Sequence, residues 1–103
     1  MLAEQLLPER ALAGDVVARA RLVEQGYDVL RGAGADLLAT VTAYLEVSGS
    51  IEGAARALFV HPNTVRYRLR RVAELTDYTP SAGRDGFTLW VAIVLGRLTT
   101  KHA

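Results

Sequence analysis

Residues 50–72, SIEGAARALFVHPNTVRYRLRRV, read as two short helices with a tight break between them. Gly49 is able to take the left-handed conformation that closes a preceding helix, and the hydroxyl of Ser50 is placed to cap the next one. A helix therefore starts near Ile51, with Ile51, Ala54, Ala55 and Leu58 recurring at helical spacing. The two alanines are small enough to let another helix approach closely. The break falls at Phe59, Val60 and His61, because Pro62 pushes its predecessor out of the helical region while its own fixed φ suits a first helical position. In the second helix Val65, Leu69 and Val72 lie at i, i+4 and i+7, one narrow apolar stripe that packs against the first helix. At 100° per residue, Asn63, Tyr67 and Arg70 point away from that stripe. Thr64 and Arg71 lie beside them, and Arg66 and Arg68 flank the apolar edge.

The charge distribution gives this face its meaning. The chain as a whole carries a net charge of only +1, but residues 1–52 hold four arginines against eight acids, a balance of −4, and residues 53–103 hold eight basic residues against three acids, a balance of +5. Between Glu52 and Glu74 there are five arginines and no acid, the electrostatic footprint of a surface that meets phosphates. A basic run such as RYRLRR is by itself most often a solvated helix face. The paired helices and the proline start turn it into an expectation of DNA binding, with the helix 62–75 in the major groove. Asn63 suits adenine and Arg70 suits guanine by bidentate hydrogen bonding, so Asn63, Thr64, Tyr67 and Arg70 are the candidate base-reading residues. Arg56, His61, Arg66, Arg68 and Arg71, with free backbone N–H groups at Pro62 to Thr64, are the candidate phosphate-binding set.

The two helices, the three-residue break and the run HPNTVRYRLRRV resemble the helix-turn-helix of the PucR family of bacterial transcription regulators, which in turn is similar to that of the Fis nucleoid protein. The resemblance is specific over about residues 45–76 and weaker over LLPERALAGD (residues 6–15) and RDGFTLWVAIVLGRL (residues 84–98). The first of these and ALFVHPNTVRYRLRRV look most like an actinobacterial subgroup associated with fatty-acid synthesis genes. Pro62 departs from the family, where a basic or polar residue is more usual. The resemblance implies a C-terminal DNA-binding domain behind an upstream sensor region, and hence that this chain is a fragment of a larger regulator.

The rest of the chain reads as support for this unit. At 103 residues and 50% hydrophobic composition there is apolar material for one domain, of a size that is only marginally stable. Leu2, Leu6 and Leu7 precede Pro8, and a short helix is expected over residues 9–13. Asp15 is a plausible N-cap for a longer helix to about Leu30, with Val16, Ala20, Val23, Tyr27 and Leu30 as its apolar face. A third helix spans residues 36–48, with Leu37, Leu38, Val41, Tyr44, Leu45 and Val47 apolar, and residues 1–48 thus support the helix-turn-helix at 50–76. TDYTPSAGRDG (residues 76–86) reads as a surface loop. A final apolar helix over residues 86–100 follows, too short to span a bilayer. Its face Phe87, Trp90, Val91, Val94 and Leu98 is assigned to the core. Leu89 and Ile93 project on nearly the opposite side and are assigned to an interface with a second copy, as a homodimer, or with the sensor domain. Gly53 and Gly96 stand inside helices, each unfavourable by about 1 kcal/mol against alanine.

The expected fold is all-α, with about five helices. Absence of cysteine removes disulfides and thiolate metal sites, and no secretory pattern occurs near the N-terminus, so a cytoplasmic location is expected. His61 and the tail residue His102 are accompanied by no thiol or carboxylate cluster, so no catalytic site, cofactor or metal is expected. Two other classes of function stay open. One is a helical protein-interaction module whose arginines meet an acidic partner; the other is a Fis-like architectural protein that bends DNA with little sequence preference.

Overall fold

Three short polar side chains set the joints between helices. Asp15 accepts the Ala18 N–H at 3.0 Å, Ser50 Oγ accepts the Gly53 N–H at 2.9 Å, and His61 Nδ1 accepts the Asn63 N–H at 2.9 Å. The structure, a computed structural model, describes residues 6–101, without the side chains of residues 100 and 101. Leu2 and His102 lie outside the described residues. In order the elements are α1 (Leu7–Leu12), α2 (Val16–Leu22), a π-helical turn (Val23–Asp28), α3 (Val29–Gly32), α4 (Ala35–Glu46), α5 (Ile51–Leu58), α6 (Pro62–Thr76) and α7 (Gly83–Lys101). The fold is all-α, as expected, and no strand occurs among the described residues.

Helices α4, α5 and α6 enclose one core, in which Val41, Ala54, Val65 and Val72 are closed to solvent together with Leu30, Leu89 and Ile93. Ala54 and Ala55 supply the small surface that lets α6 seat its Val65 and Leu69 knobs. Gly49, at φ +80°, donates its N–H to the Tyr44 carbonyl at 2.9 Å and so closes α4 before Ser50 caps α5. Ser50→Ala is expected to destabilise the domain by about 1 kcal/mol, read as a lowered urea midpoint with unchanged slope. An unaltered midpoint would mean that the hydroxyl contributes nothing.

A second core holds Leu7, Ala11, Ala18, Leu22, Val91 and Ala92. Here the structure corrects the expected register of the long helix. Val16 is 76% exposed and Ala20 is also on the surface, while Ala18, Leu22, Gly26, Tyr27 and Leu30 are buried. In an unbroken α-helix Ala18 and Leu30 would face directions about 120° apart. The π turn carries more residues per turn, with i→i+5 bonding, and brings both toward the interior. It also seats the Tyr27 ring over Gly96 of α7, where an added Cβ would come 2.1 Å from Tyr27 Cγ. That close approach is why glycine stands inside α7.

Helix α7 brings the main correction. It begins at Gly83, inside the stretch expected to be a loop, and it packs between the two cores. Leu89 and Ile93 point into the first core and are fully buried, and Val91 and Ala92 point into the second. They are therefore core residues, not interface residues. The expected core face is instead largely outward: Phe87, Val94 and Leu98 are 39%, 37% and 52% exposed, and Trp90 is half-buried. A helix apolar on every side gives no sequence signal for which side turns inward.

Polar contacts tie the first helices to this frame. Arg84 of α7 pairs with Glu9 of α1, and Arg10 reaches Asp15 at 2.8 Å. The Ala18 N–H, and after it the Arg10 guanidinium, hold the Asp15 carboxyl below its ordinary range. Because the folded value is the lower one, the stabilisation is present above the unfolded pKa and is lost as pH falls through the folded value. No helix among the described residues is long and apolar enough to cross a membrane.

Candidate nucleic-acid interface

The outer face of α6 follows from burial of the inner one. Val65, Leu69, Val72 and Thr76 are buried along one line, so the residues opposite them must face solvent. Asn63, Arg66, Tyr67 and Arg70 are exposed, Tyr67 at 57%. Tyr67 is not packed into the core of the described residues. Thr64 and Arg71 are half-buried at the margin of this face.

Contacts on the face divide the arginines into three kinds. Arg66 donates to Asn63 Oδ1 at 2.8 Å, so the Asn63 amide is oriented by a cation one turn away. Arg71 pairs with Glu74 at 2.7 Å. Arg56 of α5 and Arg70 are exposed and have no hydrogen bond or ion pair among the described residues. Arg68 differs from all of these. Its side chain is only 22% exposed and runs back to α4, donating to Thr40 Oγ1 at 3.3 Å and lying 3.6 Å from Asp36 Oδ2.

One expected phosphate contact already has partners within the fold, and another expectation is corrected. Arg68 is engaged within the fold, since its place at the edge of the apolar stripe lets its long stem lie along α4. The start of α6 also has no free N–H groups at the expected positions. Pro62 has none, the Asn63 N–H goes to His61 Nδ1, and the Thr64 N–H goes to the His61 carbonyl at 2.9 Å. His61 is exposed. With Nδ1 accepting, a neutral ring carries its proton on Nε2 and so keeps one donor. Nothing in the local sequence pointed to Thr40 and Asp36 as partners of Arg68, since they lie 28 and 32 positions away.

Arg68→Ala is accordingly expected to leave the salt dependence of DNA binding unchanged and to lower stability slightly, by less than about 1 kcal/mol for an ion pair so open on its acidic side. A slope reduced by one unit in the salt titration would instead restore Arg68 to the phosphate-binding set.

Among the described residues no three His, Asp or Glu side chains gather as metal ligands would. What the geometry presents is a basic helix face held out from a buried stripe by a second, capped helix, the form of a helix-turn-helix DNA-binding domain. The family model of the PucR C-terminal helix-turn-helix domain matches residues 37–95, and the chain belongs to that family. It is also similar to two uncharacterized mycobacterial proteins, Rv2242 of Mycobacterium tuberculosis and Mb2266 of Mycobacterium bovis. Each is 49% identical over 104 residues, a match that takes in 99% of this chain and 25% of theirs. The crystal structure of a regulator of polyketide synthase expression from Bifidobacterium adolescentis superposes with a TM-score of 0.88 at 46% identity, over 94% of this chain and 39% of that one. The chain thus spans about a quarter of the length of the curated relatives it matches.

Proposed function

We propose that the chain binds double-stranded DNA sequence-specifically, with α6 in the major groove, as the DNA-reading part of a cytoplasmic transcription regulator that carries out no catalysis. The observation that carries the proposal is the outward face of α6, where Asn63, Tyr67 and Arg70 stand exposed opposite a fully buried stripe. Asn63, Thr64, Tyr67 and Arg70 read base edges. Arg56, His61, Arg66 and Arg71 meet the phosphates. The greater length of the relatives supports a further, sensing part in the whole protein.

One helix-turn-helix reads only a few base pairs, so operator recognition joins two copies with their α6 helices about 34 Å apart. Because Leu89 and Ile93 are buried, the apolar surface that α7 offers to a second copy is Phe87, Val94 and Leu98.

The test is a fluorescence-anisotropy titration of a labelled mixed-sequence duplex at two salt concentrations, followed by selection of bound sequences from a random duplex pool. Affinity should fall steeply with salt, with a logarithmic slope of about −3 or steeper if at least three or four cations displace counterions. Selection should return a defined motif. Salt-insensitive binding, or none at low salt, would favour an acidic protein partner, and strong binding without a motif would favour an architectural role.

A further inference from the structure

Phe59 stands in a conformation and an environment that both disfavour it. It closes α5 at φ +59° and ψ +44°, in the left-handed region, where the Val60 N–H bonds the Ala55 carbonyl at 3.0 Å. That pattern of helix ending ordinarily employs glycine, because a side chain there crowds its own backbone. The ring is also 93% exposed, the most exposed large apolar side chain among the described residues. Within the free domain neither the strained backbone nor the solvated ring is offset by any packing of Phe59. Strain of this kind at a bulky residue points to a use outside the fold itself.

The surroundings indicate what the ring meets. Phe59 is three residues after Arg56 and two before His61, both exposed, and it shares a surface notch with Arg56, Val60 and Pro62 at the entrance to α6. Glu52 borders the same notch from the first turn of α5. From Gly53 to Ala73 the sequence contains no acid, so the chain that runs from this notch along α6 is basic, a charge suited to a polyanion rather than to an apolar protein surface. An exposed aromatic beside the Arg56 guanidinium matches the mixed chemistry of a DNA strand edge, where apolar deoxyribose and thymine methyl groups alternate with phosphates.

Resting on the DNA-binding function proposed above, we infer that Phe59 is a DNA-contacting residue: its ring packs on deoxyribose or a thymine methyl at the edge of the groove that α6 enters. The contact is apolar and releases no counterions. It therefore adds affinity without adding to the salt dependence, which separates it from the phosphate-meeting arginines Arg66 and Arg71.

The experiment compares Phe59→Gly and Phe59→Asn with the unaltered 103-residue chain and with Arg70→Ala. Each is titrated into a labelled duplex recovered by selection, at several salt concentrations, after its thermal unfolding is recorded. Glycine and asparagine both tolerate the left-handed region. Phe59→Gly should raise Tm by about 4 to 8 °C through relief of strain while weakening DNA binding about tenfold at every salt concentration. A better-folded protein that binds DNA less well, with an unchanged salt slope, has no explanation in lost stability. Affinity retained within about twofold in both variants, while Arg70→Ala binds weakly, overturns the inference and leaves the DNA reading intact. Loss of self-association with DNA affinity retained overturns it in favour of a protein contact. A lowered salt slope overturns it too, since the helix would then have moved. If the unaltered chain binds no duplex at low salt, both proposals fall.

Discussion

Replacing Leu89 and Ile93 together with lysine should abolish the cooperative fold. Both side chains are fully buried in the core shared by α4, α5, α6 and α7. Truncating a buried leucine or isoleucine to alanine costs about 2 to 5 kcal/mol, and an unpaired ammonium in the same space adds the cost of its desolvation. Two such changes approach or exceed the roughly 5 to 15 kcal/mol that holds a typical domain together. Circular dichroism should show loss of the sigmoidal thermal transition. A folded variant that merely lost self-association would return these residues to an interface and require α7 to be turned over. Lysine at Val94 and Leu98, by contrast, should leave the domain folded, since both are already in contact with water.

Arg70→Ala should have the largest effect of any single α6 arginine on sequence preference. Arg70 is exposed, opposite the buried stripe, and free of hydrogen bonds and ion pairs among the described residues, so its removal disturbs nothing in the fold. Guanine reading through O6 and N7 requires such an unengaged guanidinium. The expected loss is about 1 to 3 kcal/mol on the selected operator, roughly tenfold to more than a hundredfold in Kd, with base preference relaxed at one position. Repeating the selection with the variant decides the matter. An unchanged motif would show that α6 is rotated from the proposed orientation, and the base-reading roles of its neighbours would have to be reassigned with it.

These two predictions differ in how far they were visible in the amino-acid order. The outward position of Arg70 needed only the spacing of Val65, Leu69 and Val72 on one short helix, because a single apolar stripe leaves no choice about which side is buried. The joints were equally local: Gly49 turns the chain, Ser50 caps α5 and Pro62 opens α6, each through its own backbone or side-chain chemistry. The membership of the chain in its family was carried by the same contiguous run, HPNTVRYRLRRV, which the matched region includes.

The burial of Leu89 and Ile93 was not local. A helix apolar on all sides has no moment to orient it, and the side that turns inward was decided by two cores gripping α7 at once. The buried register of α2 depended on a π turn that spacing alone does not announce, and which makes room for Tyr27 against Gly96. Arg68 looked like any other cation of its helix until Thr40 and Asp36 of α4 were brought beside it. His61 was legible as a break residue and a possible phosphate ligand, but its ring nitrogen caps the helix that it was expected to leave open. The sequence by itself determined the elements, their joints and the outward chemistry of the recognition helix, because these depend on neighbours within a few residues. Only the tertiary structure decided which side of α7 is buried and that Arg68 is engaged, because both depend on contacts between elements far apart in the chain.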